Sequence, residues 1–204
     1  MADQQRLLWR AILVSVFSVS WSLLAGGVAV ATAFVTRSPS LAGFGIGSVI
    51  DATASLSLIW YFHARRQDSA RADRLESLTL RAVGSALIVA AAYVAVRAIP
   101  VLGMHTAPDS SEAGIVIAAA SALVLPLVAL TKLRIAGRLP SAALRSDGVL
   151  TVGGALLACL TLVAVSLKGV DGLWWVDGVA ALLVAAVLAA EGTRGWVAHL
   201  GGPS

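Results

Sequence analysis

The sequence predicts an all-α membrane protein of six transmembrane helices with both termini on the cytoplasmic side. Three observations predict it. Of 204 residues, 58% are hydrophobic and only 13% charged, with a mean hydropathy of +0.88, far from the composition of a soluble domain. The apolar residues gather into runs near the roughly 20 residues that cross a hydrocarbon core of about 30 Å. The basic residues collect in alternate gaps between those runs. Only helices or closed barrels satisfy their backbones in lipid, and these runs are too long and too continuously apolar for barrel strands.

The first run, about 8–35, follows Arg6 and Arg10 and lacks a small-residue cleavage site, so it reads as a helix and not a cleaved signal. "TRSPS" then turns the chain into the second run, about 41–62. The connection "HARRQDSARADRLES" leads to the third, about 78–99, and "VLGMHTAPDSSE" to the fourth, about 113–131. "KLRIAGRLPS" precedes the fifth, about 142–167, and "KGVDG" the sixth, about 173–191. The tail "GTRGWVAHLGGPS" is short and glycine-rich, so a single transmembrane domain spanning 1–204 is expected, with no separate cytoplasmic domain.

Arg6, Arg10, Arg65, Arg66, Arg71, Arg74, Arg81, Lys132, Arg134, Arg138, Arg145 and Arg194 fall on one side, twelve of the fifteen basic residues. Only Arg37, Arg97 and Lys168 fall on the other. The positive-inside rule makes the first side cytoplasmic and points to the inner (plasma) membrane. Trp9, Trp60, Tyr61 and Trp196 lie near inner helix ends, and Trp174 and Trp175 near an outer one, as interfacial aromatics do. The pI near 10.0 therefore reflects topology and gives no reason to expect nucleic acid; the expected partner is the lipid bilayer. The arginine-rich second connection is a solvated loop or a lipid-headgroup contact. The lone Cys159 excludes a disulfide or multi-cysteine metal site within one chain and reads as a small buried apolar residue. No Ser-Lys or Ser-His pair, matched aspartates or HExxH motif suggests an intramembrane enzyme.

Asp51 stands out. It lies roughly 15 Å from either end of its predicted helix, at the bilayer midplane, where an aspartate costs about 2.5–3.5 kcal/mol on insertion scales. Such residues face a bundle interior or a watery cavity. Gly43, Gly47, Asp51 and Ser55 share one helical stripe, joining a close-packing glycine surface to polar groups. Asp147, Thr151 and Gly154 form a comparable stripe on the fifth helix, with Thr151 and Gly154 at the depth of Asp51. The alternative for Asp147 is a start-of-helix role beside Arg145. Asp177 opens the sixth helix, where capping and ion conduction are both open, and Glu191 lies near its inner exit. His105, Asp109 and Glu112 are loosely spaced outer-loop residues that read as a solvated turn more readily than as a metal site.

Together, "SLAGFGIGSVIDATASLSLIWYF", "ALRSDGVLTVGGALL" and "WWVDGVAALLVAAVLAAEG" resemble the transmembrane domain of cation diffusion facilitators, over most of the chain and closest to short bacterial six-helix members. The resemblance implies proton-coupled exchange of a divalent metal, commonly zinc, at a tetrahedral site. That site would use two residues four apart on the second helix and two, usually His and Asp, four apart on the fifth. Here the positions are Gly47 and Asp51, then Leu150 and Gly154, of which Asp51 alone can ligate. Thr151, Ser48, Ser55, carbonyls or water would complete a harder oxygen site, or Asp51 would carry a proton. The resemblance also implies a homodimer. Two readings follow: a cation carrier with Asp51 as metal or proton ligand, Asp147, Thr151 and Asp177 along the ion pathway, and no permanently bound cofactor; or a membrane scaffold or accessory subunit, pairing with a relative, in which Gly43, Gly47 and Gly154 serve close helix packing.

Overall fold

The computed structural model describes residues 2–64, 69–103, 109, 111–138, 142–167 and 173–200. Six helices account for nearly all of them: α1 (Ala2–Thr36), α2 (Pro39–Ala64), α3 (Ser69–Gly103), α4 (Glu112–Arg138), α5 (Ala142–Leu167) and α6 (Val176–Leu200). Among the described residues no strand occurs.

The expected elements are all present, and most run longer than hydropathy alone suggests. α3 begins at Ser69, so Arg71 and Arg74 belong to a helix and not to a loop. α4 continues to Arg138 and takes in Lys132 and Arg134. Arg, Leu, Ala, Lys and Glu are strong helix formers, so a helix runs past the point where charge ends the apolar run.

α1 and α2 meet through two residues. Arg37 adopts φ 57°, the left-handed conformation that commonly closes a helix. Ser38 then caps α2, its Oγ accepting from the Leu41 amide at 3.3 Å, and Pro39 follows at the first helical position, where a missing N–H costs nothing.

Contacts at matched depths show the helices alternating in direction. Ser22 meets Asp51 and Gly26 meets Gly45, so α1 and α2 are antiparallel. Ser55 meets Asp147 and Gly47 meets Leu157, so α2 and α5 are antiparallel as well. Gly84 against Gly192 and Val101 against Gly178 make α3 antiparallel to α6. Gly43 against Val184 and Gly47 against Leu188 make α2 parallel to α6, so the start of α1 and the end of α6 lie at the same end of the bundle.

α2 packs on α1, α3, α5 and α6. Among the described residues, α1, α3, α4, α5 and α6 each hold a stretch long and apolar enough to cross a membrane, and α2 is sheltered by its neighbours. On the outer faces Leu13, Phe17, Leu24, Phe34, Val89, Val96, Leu123, Leu127 and Val163 are exposed. Such a surface belongs in lipid and would aggregate in water.

Small residues set the helix separations. A Cβ on Gly45 would come within 3.0 Å of the Gly26 carbonyl oxygen, and one on Gly192 within 2.7 Å of that of Gly84. Gly43 is equally constrained, by Val184 on α6 and Val94 on α3. Gly47 meets the tips of Leu157 and Leu188, whereas Gly154 faces only the tip of Leu125 at an ordinary 3.7 Å. Gly26, Gly45, Gly84 and Gly192, where an added Cβ would come within 3.0 Å of a neighbouring helix's backbone, lie outside the packing set of Gly43, Gly47 and Gly154 singled out from sequence.

Candidate ion site

Polar side chains of α1, α2, α4 and α5 converge between the middle of the bundle and the end where α1 starts and α6 finishes. Lys132 is the centre of this cluster. The sequence assigned it to a basic connection at the membrane surface; the structure corrects this, because α4 persists for about two more turns and carries the side chain inward, where it is 0% exposed. Its Nζ lies 2.7 Å from Asp147 Oδ2. It also donates to Ser18 Oγ at 2.9 Å, Thr151 Oγ1 at 3.0 Å and Ser55 Oγ at 3.3 Å. Four oxygens from three neighbouring helices thus surround one ammonium.

Asp147 is held from a second side. Ser55 Oγ donates to its Oδ1 at 2.6 Å, and Thr151 Oγ1, one turn along α5, donates to its main-chain carbonyl at 2.9 Å. Arg145 is exposed, so Asp147 turns away from the basic neighbour proposed for a start-of-helix role and into the bundle. Burying the two ions is tolerable because they pair with each other while Lys132 donates to three hydroxyls and Asp147 accepts from Ser55.

Asp51 sits one turn from Ser55 on α2, roughly 6 Å along the helix. It is buried, and Ser22 Oγ donates to its Oδ2 at 3.1 Å. Its other oxygen, Oδ1, is buried with no hydrogen-bond partner among the described residues. Asp51 also lies within electrostatic range of both Lys132 and Asp147. Two carboxylates and one ammonium leave the cluster one positive charge short of neutrality, and an unpartnered buried carboxylate oxygen is the atom a proton or cation would take.

Asp51, Asp147 and Thr151 are therefore brought together, while Asp177 is not. Asp177 is buried at the opposite end, where its Oδ1 accepts from Ser38 Oγ at 2.8 Å and from Ser40 Oγ. Ser40 in turn offers its carbonyl to Thr161 Oγ1 at 3.3 Å. This arrangement ties the start of α6 to α2 and α5, about 16 Å along α2 from Asp51.

The positions matched to family ligands offer no further donors. Gly47 abuts leucine side chains, Leu150 packs on the apolar core and Gly154 meets Leu125. Among the described residues no three His, Cys, Asp or Glu side chains cluster as metal ligands would. Asp109 and Glu112 are exposed; His105 lies outside the described residues, as do Arg65, Arg66 and Lys168. Glu191 pairs with Arg194 at 2.6 Å. Cys159, expected to be buried, is exposed on the outer face of α5, which suits its apolar character because that face meets lipid.

Sequence reasoning missed Lys132, Ser18 and Ser22. Ser15, Ser18 and Ser22 form a buried stripe at helical spacing on α1, a signal present in the sequence that points to a polar seam. Lys132 left a fainter one: Leu133, Ile135 and Ala136 continue the apolar pattern beyond it.

One comparison bears on this geometry: the sequence model of the cation efflux transmembrane domain matches residues 14–195, a stretch that includes every residue of the cluster.

Proposed function

The chain belongs to the cation efflux family, whose members transport cations, and from that premise we propose that it is a carrier exchanging a cation for protons at Asp51. The observation that carries this reading is the buried, unpartnered Oδ1 of Asp51 beside the Lys132–Asp147 pair. A carboxylate in that position takes a proton in one state and a cation in the other, since each relieves the same uncompensated charge. The proposed cargo is a divalent metal of the zinc type, as the family resemblance suggests. Ser22, Ser55 and Thr151 hydroxyls would supply oxygen ligands, a set that favours a harder ion over zinc itself.

In this reading Asp147 and Thr151 line the approach from the end carrying the termini, and Asp177 lies on the opposite approach. The excess of basic residues at the first end supports a cytoplasmic side there and an inner (plasma) membrane location. In the same reading the chain acts as one transmembrane unit, and the exposed apolar faces of the described helices leave area for a homodimer or a related membrane partner.

A second reading is supported by Gly47, Leu150 and Gly154, which stand at family ligand positions without ligand atoms. It makes the chain a scaffold or accessory subunit that keeps the fold without transport. Flux in proteoliposomes separates the two. Saturable, pH-gradient-driven uptake of zinc, cadmium, manganese, cobalt or iron(II) that disappears in Asp51→Asn supports the carrier. Absence of flux for every ion, with the protein folded and inserted, favours the scaffold.

A further inference from the structure

We infer that Lys132 is a tethered competitor for the cargo cation: its ammonium occupies an oxygen cage that a free cation would otherwise fill. The cage consists of Ser18 Oγ, Ser55 Oγ, Thr151 Oγ1 and Asp147 Oδ2 at 2.7–3.3 Å from Nζ. These atoms come from α1, α2 and α5, whereas the ammonium enters from α4. The ligands are thus independent of the side chain that fills them. All four residues are at least nine-tenths buried, so the cage is built and not an accident of surface side chains.

The charges that face Lys132 from the packed helices are Asp147 and, one turn away on α2, Asp51. With the ammonium in place, a divalent ion arriving at Asp51 meets a like charge at short range. With it withdrawn, the same ion finds the Asp147 carboxylate and three hydroxyls, with the Asp51 charge in electrostatic range, an all-oxygen set suited to a hard divalent cation. Loading the site then requires that the Lys132 ammonium leave the cage, and unloading is assisted by its return. The inference rests on the carrier reading for the physiological meaning of the cage, but not for the competition itself, which is a statement about binding.

The test is Mn²⁺ binding to purified full-length protein, read by electron paramagnetic resonance and equilibrium dialysis without any transport. Wild type and Lys132→Arg, which keep the charge, bind Mn²⁺ weakly. Lys132→Ala and Lys132→Gln bind one ion per chain about 100-fold more tightly or better, the change expected on removing a like charge that fills a shielded site. Adding Asp147→Asn to Lys132→Ala abolishes that gain. The inference is overturned if the wild type already binds as tightly as the uncharged variants. It is also overturned if both folded variants fail to bind, or if binding survives Asp147→Asn. Should Lys132→Ala be unstable, millimolar MnCl₂ or methylammonium during extraction restores it by refilling the cage, and failure of both to do so counts against the inference. Wild-type flux without variant binding retires Lys132 as competitor and leaves the carrier; variant binding without wild-type flux does the reverse.

Discussion

Removing one member of the Lys132–Asp147 pair should destabilise the protein far more than removing both. At 2.7 Å, an effective dielectric of about 20 gives a direct attraction of roughly 6 kcal/mol. Against it stands the desolvation of two ions whose side chains are 0% and 4% exposed, several kcal/mol for each. The pair therefore contributes little net stability, but either ion alone is stranded. Lys132→Met is expected to cost about 3–5 kcal/mol, and Asp147→Leu a similar amount. The double variant should lose only about 1–3 kcal/mol, reflecting the hydroxyl hydrogen bonds from Ser55 and to Ser18 and Thr151 that go with the pair. The assay is reversible unfolding in mixed micelles by dodecyl sulfate titration, followed by the fluorescence of the six tryptophans. A double-mutant cycle should give a coupling of about 3 kcal/mol or more. Additive losses, or single variants that lose less than about 1 kcal/mol, would refute the reasoning and return Lys132 to solvent.

Asp51→Asn should abolish flux while changing stability by less than about 1 kcal/mol, because the amide oxygen still accepts from Ser22 and no second hydrogen bond is lost; flux assays paired with the same unfolding titration check both halves. Gly192→Ala should destabilise by about 1–3 kcal/mol, since the new methyl would meet the Gly84 carbonyl and the Ile88 backbone, neither of which can step aside. Gly27→Ala, with nothing within 4 Å, should stabilise α1 by about 0.4–1 kcal/mol, and a lower unfolding midpoint would count against the packing described for that face. Ser38→Ala should cost about 1–2 kcal/mol, through loss of the α2 cap and of the hydrogen bond to Asp177, measured as a shifted midpoint without loss of flux.

Much of the fold was legible because hydropathy is a local property. Each run of apolar residues specifies its own helix, and turn residues such as Ser38 and Pro39 mark where one ends and the next begins. The helix ends were less legible: around Arg71 and Lys132, charge interrupts the hydropathy signal without interrupting helical backbone preference. Asp51 announced itself because a carboxylate in a membrane-depth helix has no bland local explanation. Lys132 did not, because a lysine just past an apolar run reads equally well as a surface anchor.

By itself, the sequence determined the six-helix class, the membrane environment and the prominence of Asp51, all of which follow from the free energy of placing one segment in lipid. Tertiary structure decided what surrounds that carboxylate. The rotation of α4 turns Lys132 inward, the register of α2 on α5 sets Ser55 against Asp147, and the Gly26–Gly45 approach draws α1 close enough for Ser18 and Ser22 to take part. Those are relations between helices, fixed by packing at close contact, and no single segment carries them.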